Sequence, residues 1–223
     1  MGTDDRIEKA GLLYESAVFG GDAEALAIAE RGLDAVEADL ALARGRILHA
    51  RFLEGRNEDP DELPLFRRAA RLYRALGDAR GEGEALFWVG CFHQVVRNDE
   101  STAVPALERS LELAAKARDK LTESYALRHL GIAEHQAGRL DAARERLEES
   151  LRLRREVGFM AGAAANLVGL IHIAAAEGRR DDALALAEEA AEIAEASGAQ
   201  VSCARSRRRA LGFRRPPVKN VPS

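Results

Sequence analysis

The chain has 223 residues, 47% of them apolar and 31% charged, with 33 basic against 37 acidic side chains and a formal net charge of −4. This is long enough to bury a sizeable core, too apolar for a disordered chain, and free of the biased composition of collagen-like or low-complexity proteins. No run reaches ~18 uncharged apolar residues, so no membrane association is expected. The opening MGTDDRIEKAG is acidic and lacks an apolar stretch, which predicts no secretory signal. Cys91 and Cys203 are too few for a disulfide framework, and the expected compartment is a reducing cytoplasm.

Alanine, leucine, glutamate and arginine dominate, all good helix formers, and no β-branched run of strand length occurs. Gly or Asn with Asp punctuates the chain at Gly20-Gly21-Asp22, Gly55-Arg56-Asn57, Gly77-Asp78, Asn98-Asp99, Gly138, Gly158 and Gly178. Each is a plausible helix stop followed by the next start. The pattern predicts an all-α chain of ten helices, near 4–19, 22–36, 38–55, 61–76, 80–96, 100–117, 119–137, 140–156, 160–177 and 180–197. A short eleventh helix would fall near 200–210. Within these segments apolar residues recur at helical spacing, as at Leu127, Leu130, Ile132 and Ala133, then Leu147, Leu151 and Leu153.

A period near 40 residues runs through the body. Leu130-Gly131, Gly138, Asp141, Ala143, Leu147 and Ser150-Leu151 form one register. Leu170, Gly178, Asp181, Ala183, Ala187 and Ala190 repeat it downstream; Val89-Gly90, Ala103, Leu107 and Ser110-Leu111 repeat it upstream. The expected organisation is five antiparallel hairpins, near 4–37, 38–78, 79–118, 119–158 and 159–198. None can bury its apolar face alone, so neighbours must stack.

The residues Leu127, Leu130-Gly131, Ala143, Leu147 and Ser150, with Leu86, Val89-Gly90, Ala103, Leu107 and Ser110, resemble the tetratricopeptide repeat (TPR) family. The ~40-residue unit is similar to arrays of the kinesin-light-chain type and of bacterial regulators. Glu134 stands where the family has an aromatic, and no repeat carries the family's proline after its second helix. The resemblance implies a right-handed superhelix whose first helices line a concave groove. It carries to Glu84, Phe87, Cys91 and Gln94 in the third pair, to Tyr125, Arg128, Ile132 and His135 in the fourth, and to Ala165, Val168 and His172 in the fifth. Tyr14, His49 and Phe52 would extend that face. Phe87 and Tyr125 would be rigid anchors, Arg128 the cation for an acidic group, and His135 and His172 adaptable donors or acceptors. Trp88 is expected in the core beside the Val89-Gly90 crossing.

Catalytic chemistry has no foothold in the pattern. There is no HExxH, CxxC, P-loop or G-x-S-x-G arrangement, and His129 and His135 lie about 240° apart around a helix. Neither a catalytic residue, a metal nor a cofactor is expected. Charges such as Arg144, Glu145, Arg146, Glu148 and Glu149 alternate as on a solvated helix face.

From Gln200 to Ser223 no acidic residue occurs, while Arg205, Arg207, Arg208, Arg209, Arg214, Arg215 and Lys219 are basic and Pro216, Pro217 and Pro222 oppose regular helix. Without interleaved aromatics this is a weak nucleic-acid signal. The helix from Asp181 to Ser197 carries a wide apolar face, Leu184, Leu186, Ala187, Ala190, Ile193 and Ala194, which Val201, Ala204 and Leu211 could cover; uncovered, it would be free for self-association or for a partner. The expected function is an interaction module taking a partner segment in the groove. The alternative is a sensor or regulatory array of a bacterial transcription or signalling system, binding a signalling peptide or small ligand. A catalytic or nucleic-acid role comes third.

Overall fold

The computed structural model describes residues 4–196. Among them are nine α-helices and no strand: α1 (Asp5–Gly20), α2 (Ala25–Gly55), α3 (Glu62–Leu76), α4 (Ala79–Val95), α5 (Glu100–Ala117), α6 (Lys120–Gln136), α7 (Leu140–Glu156), α8 (Met160–Ala176) and α9 (Arg180–Ala196). The tail residues Arg205 to Lys219, Cys203, the short helix near 200–210 and the covering residues Val201, Ala204 and Leu211 lie outside the described residues.

Stops and starts follow local chemistry. Gly21, Gly77, Gly138, Gly158 and Gly178 all have φ between 71° and 76°, the left-handed conformation that ends a helix without steric cost in glycine. Arg56, Asn98 and Arg118 adopt it too. Asp4, Asp78 and Asp99 accept backbone N–H bonds from Arg6, Gly81 and Thr102, and Asp119 does the same for Thr122 at 3.2 Å.

One expected boundary is absent. The helices read as 22–36 and 38–55 are a single helix of 31 residues, α2, so the hairpins drawn at 4–37 and 38–78 do not exist as such. The segment around Val36-Glu37 offers neither cap nor proline, and its residues are strong helix formers. Gly32 and Gly45 lie inside the helix with ordinary helical backbone. Gly45 serves packing instead: a Cβ there would stand 2.5 Å from the Phe66 ring.

The chain divides after Ala126, within α6, into two compact units. In the first, α1 packs on α2, α2 on α3, α3 on α4 and α4 on α5. Short connections make successive partners antiparallel. Its core joins Ala38, Ala41 and Leu42 of α2 to Phe66, Ala69, Ala70 and Tyr73 of α3 and Ala85 and Val89 of α4. In the second, α7 packs on α8 and α8 on α9, around Leu147, Leu151, Ala163, Leu167, Leu170, Ile173 and Ala190. Leu186 and Ile193 of α9 also pack on this core, so much of the apolar face assigned to self-association is covered from within the unit.

The sequence period reappears as a repeated contact. In the first unit a Cβ on Gly90 would meet Leu107 Cγ at 2.6 Å and the Ala103 carbonyl at 3.1 Å. In the second, a Cβ on Gly131 would meet Leu147 Cγ at 3.0 Å and the Ala143 carbonyl at 3.3 Å. Both glycines let a first helix close onto the small residue and leucine of its second helix.

Candidate functional site

The groove candidates of the first unit form a line of rings across α2, α4 and the start of α6. Phe87 stacks on Tyr125, with centroids 5.2 Å apart, and meets Trp88 edge-on at 5.1 Å. Trp88 stacks on Phe66 at 5.5 Å and meets His49 edge-on at 5.4 Å, while His49 tilts against Phe52 at 6.4 Å. Spacing along each helix produces this line, since His49 and Phe52 are three apart on α2, and Phe87 and Cys91 four apart on α4.

Burial sorts the candidates. Phe87, Cys91 and Gln94 are buried, as are His49 and Phe52. These five therefore do not present the free groove surface that the TPR register assigned them: α4 lies among helices on several sides, and its residues are consumed by packing. Gln94 Nε2 donates to Glu100 at 3.0 Å, within the fold. Tyr14 stands exposed on α1. Trp88, expected in the core, lies at its margin, half-buried.

What reaches solvent is the rim. Trp88 and Tyr125 are half-buried, and the exposed Arg46 guanidinium lies over the Trp88 ring at 5.6 Å. Arg46 Nη1 also donates to Glu84 Oε1 at 3.3 Å. Burial pushes the Glu84 carboxyl above its usual range, and the positive charge of Arg46 works against that shift. Arg46 was not among the expected site residues, which included only His49 and Phe52 of this helix.

In the second unit Arg128, Ile132, His135, Ala165 and Val168 are half-buried, and His172 is exposed. Each retains some surface, in contrast to Phe87, Cys91 and Gln94 of the third pair. The unit also holds a buried cation. Arg154 donates to the Gly162 carbonyl at 2.7 Å and to Asn166 Oδ1 at 3.0 Å, and it covers the Phe159 ring.

A second polar constellation of the first unit escaped sequence reasoning. His49 Nδ1 and Glu62 Oε1 are 2.8 Å apart, and Cys91 Sγ lies 3.7 Å from His49 Nε2. Cys91, His49 and Glu62 stand in the order of a nucleophile, base and orienting acid. They are only 3%, 5% and 0% exposed, however, so no substrate reaches the thiol. Here the set ties α2, α3 and α4 together through polar contacts. Burial, partly offset by the His49 bond, pushes the Glu62 carboxyl above its usual range. Residues 13 and 29 positions apart on three helices carry no local signature, so only their packing reveals them.

Between α2 and α3 runs an open cleft of about 580 Å³ with Ile47, Leu48, Pro64 and Leu65 among its walls and Arg44, Arg51, Arg68 and Arg71 around it. Among the described residues no group of three or more His, Cys, Asp or Glu side chains is placed to hold a metal, and no helix is long and apolar enough to cross a membrane.

Fold and surface together define an all-α protein built of consecutive helical hairpins with a recurring glycine crossing. No family model matches the chain, and no curated protein matches it. Among solved structures it is similar to BtubC (BKLC) from P. vanneervenii, at 15% identity over 98% of this chain and 96% of that one, with a TM-score of 0.46.

Proposed function

We propose that the chain is a TPR-type array and acts as a non-enzymatic protein–protein interaction module, holding a segment of a partner along the face of its first helices. The observation that carries this reading is the half-buried Trp88–Tyr125 surface with Arg46 and Glu84 at its rim. The rings are held from behind by Phe66 and Phe87, so ordering them on binding costs little side-chain entropy. Glu84 and Arg46 supply one group of each sign beside that apolar patch. Arg128, Ile132, His135, Val168 and His172 are the corresponding candidates of the second unit.

The test is selection of peptides from a random display library on the immobilised full chain, followed by calorimetric titration of the selected peptides. Tyr125→Ala should weaken binding by about tenfold or more, as expected of an aromatic anchor, and Arg128→Glu should do the same for peptides bearing a carboxylate. Arg109→Ala, an exposed residue on α5, should leave affinity unchanged. Failure to select any peptide, or binding indifferent to Tyr125 and Arg128, would reject the groove.

A further inference from the structure

Eleven of the fifteen exposed large hydrophobic side chains among the described residues lie between Ile7 and Leu53, on α1 and α2. Four of them are spaced by seven along α2: Leu26, Leu33, Leu40 and Ile47, each between 43% and 55% exposed. Three residues after each stands Ala29, Val36, Ala43 or Ala50. A seven-residue apolar repeat with small residues at the alternate positions is the seam of a two-helix coiled coil, and α2 is long enough, at about 46 Å, to make one. In its first half the seam is partly taken up within the fold, Ala29 being buried and Val36 half-buried, whereas in its second half Ala43, Ile47 and Ala50 are exposed, Ile47 at the open cleft beside α3.

The charges beside the seam identify what covers it. Four residues after each large apolar residue come Glu30, Glu37, Arg44 and Arg51, so one flank of the helix is acidic in its first half and basic in its second. Such a stripe is complementary to itself when reversed. In an antiparallel pair, residues at this position face their own kind across the seam. With Leu33 opposite Ala50 of a second copy, Leu40 opposite Ala43 and Ile47 opposite Val36, Glu37 meets Arg44 and Glu30 meets Arg51. By the two-fold, each of these pairs occurs twice.

The register is selective. Sliding the copies by one heptad sets Glu37 against Glu37 in one direction and Arg44 against Arg44 in the other. A parallel pair would instead set these positions against Ala25, Gly32, Asp39 and Arg46, which leaves both glutamates without a counter-charge. Large residues also face small ones in the favoured register, which lets the two helices approach closely. Neither Arg44 nor Arg51 forms an ion pair among the described residues, whereas Glu37 is bridged by Arg68 at the α3 edge. The basic tail of the chain carries seven positive charges and no carboxylate, so it does not complement the Arg44–Arg51 half of the stripe.

We propose that the chain forms a homodimer through antiparallel packing of α2 on α2 along Leu33, Leu40 and Ile47, with Glu30 and Glu37 of one copy facing Arg51 and Arg44 of the other.

Sedimentation velocity of the full chain over ~1–100 μM tests this, with helicity followed by circular dichroism. The wild type should sediment at twice the 24.2 kDa chain mass. The double variants Glu30→Arg/Glu37→Arg and Arg44→Glu/Arg51→Glu each replace four attractions by four repulsions and should weaken association by roughly tenfold or more. The quadruple exchange of all four residues should restore the homodimer, and an equimolar mixture of the two double variants should form a heterodimer. A wild type that stays monomeric throughout, or a dimer indifferent to the double exchanges, would overturn the proposal. So would double variants that stay helical and monomeric while the quadruple exchange fails to rescue them. Acceptance by the stripe of an acidic or basic helix of another protein, with the wild-type chain monomeric, is likewise a negative result.

Discussion

The unit ending at Ala126 and the unit that follows it use the same glycine crossing but fill the space around it differently. The first packs rings: Phe52, Phe66, Phe87, Trp88 and Phe92 sit in or against its core, with His49, Glu62 and Cys91 as a polar tie among them. The second has Phe159 as the only Phe, Tyr or Trp between residues 127 and 196, and its core is alanine, leucine and isoleucine. Glycine permits close approach in both: an added Cβ on Gly45 would stand 2.5 Å from the Phe66 ring, and one on Gly169 2.8 Å from Leu147. The first unit thus keeps the half-buried rings of Trp88 and Tyr125 at its surface, and the second closes on aliphatic side chains.

Substitutions can break that contrast, beginning with the largest expected effect. Arg154→Ala should destabilise the second unit by about 3 kcal/mol, because it strips a charged donor from the Gly162 carbonyl and Asn166 and uncovers Phe159. Chemical denaturation read by circular dichroism measures it, and a neutral outcome would mean that this buried cation is dispensable. Gly131→Leu should cost about 1–3 kcal/mol by overpacking against Leu147, and Gly90→Leu at least as much, since its neighbour Leu107 is nearer. Equal tolerance of both would dissolve the repeated crossing. A Cβ on Gly138 would meet no atom within 4 Å, so Gly138→Leu should cost about 1–2 kcal/mol, chiefly through backbone strain, its φ being +76°.

The smallest effect concerns pH and belongs to the first unit. Because burial raises the Glu62 carboxyl, the folded chain holds that proton more tightly than the unfolded chain does. Its contribution to stability is present below the ordinary value of 4.5 and is lost as pH rises through the raised value. His93 acts in the opposite sense. Burial, with help from Arg67, lowers its imidazole, so stability falls as pH drops below 6.5 and the unfolded chain gains a proton that the folded one refuses. Glu62→Gln should remove the loss on raising pH and leave the loss on acidification. Melting temperatures across pH 4–8 would show it, and curves that stay parallel for variant and wild type would exclude the assignment.

Local chemistry made much of the architecture legible. Glycine and asparagine stops, aspartate starts and the 40-residue recurrence of Leu-Gly with Ala and Leu are short-range signals, and helices α3 to α9 begin and end within a residue or two of their expected bounds. The failure at Val36-Glu37 has the same origin: a boundary imposed by the repeat period had no cap to realise it, so helix propagation continued through it. Site residues were harder to read. A TPR register assigns faces, but which of Phe87, Gln94 and Tyr125 keeps any surface depends on what lies across from each, and that is a matter of several helices at once.

The amino-acid sequence by itself determined that this chain is helical, where most of its helices stop, and that a glycine must sit where two helices cross. Those properties depend on backbone sterics and on residues within one turn of each other. Tertiary structure alone decided that His49, Glu62 and Cys91 meet, that Arg154 is buried on a carbonyl and an amide, and that Leu26, Leu33, Leu40 and Ile47 stay uncovered. Each of these depends on how distant segments share or leave space, and burial is set by neighbours that no local pattern names.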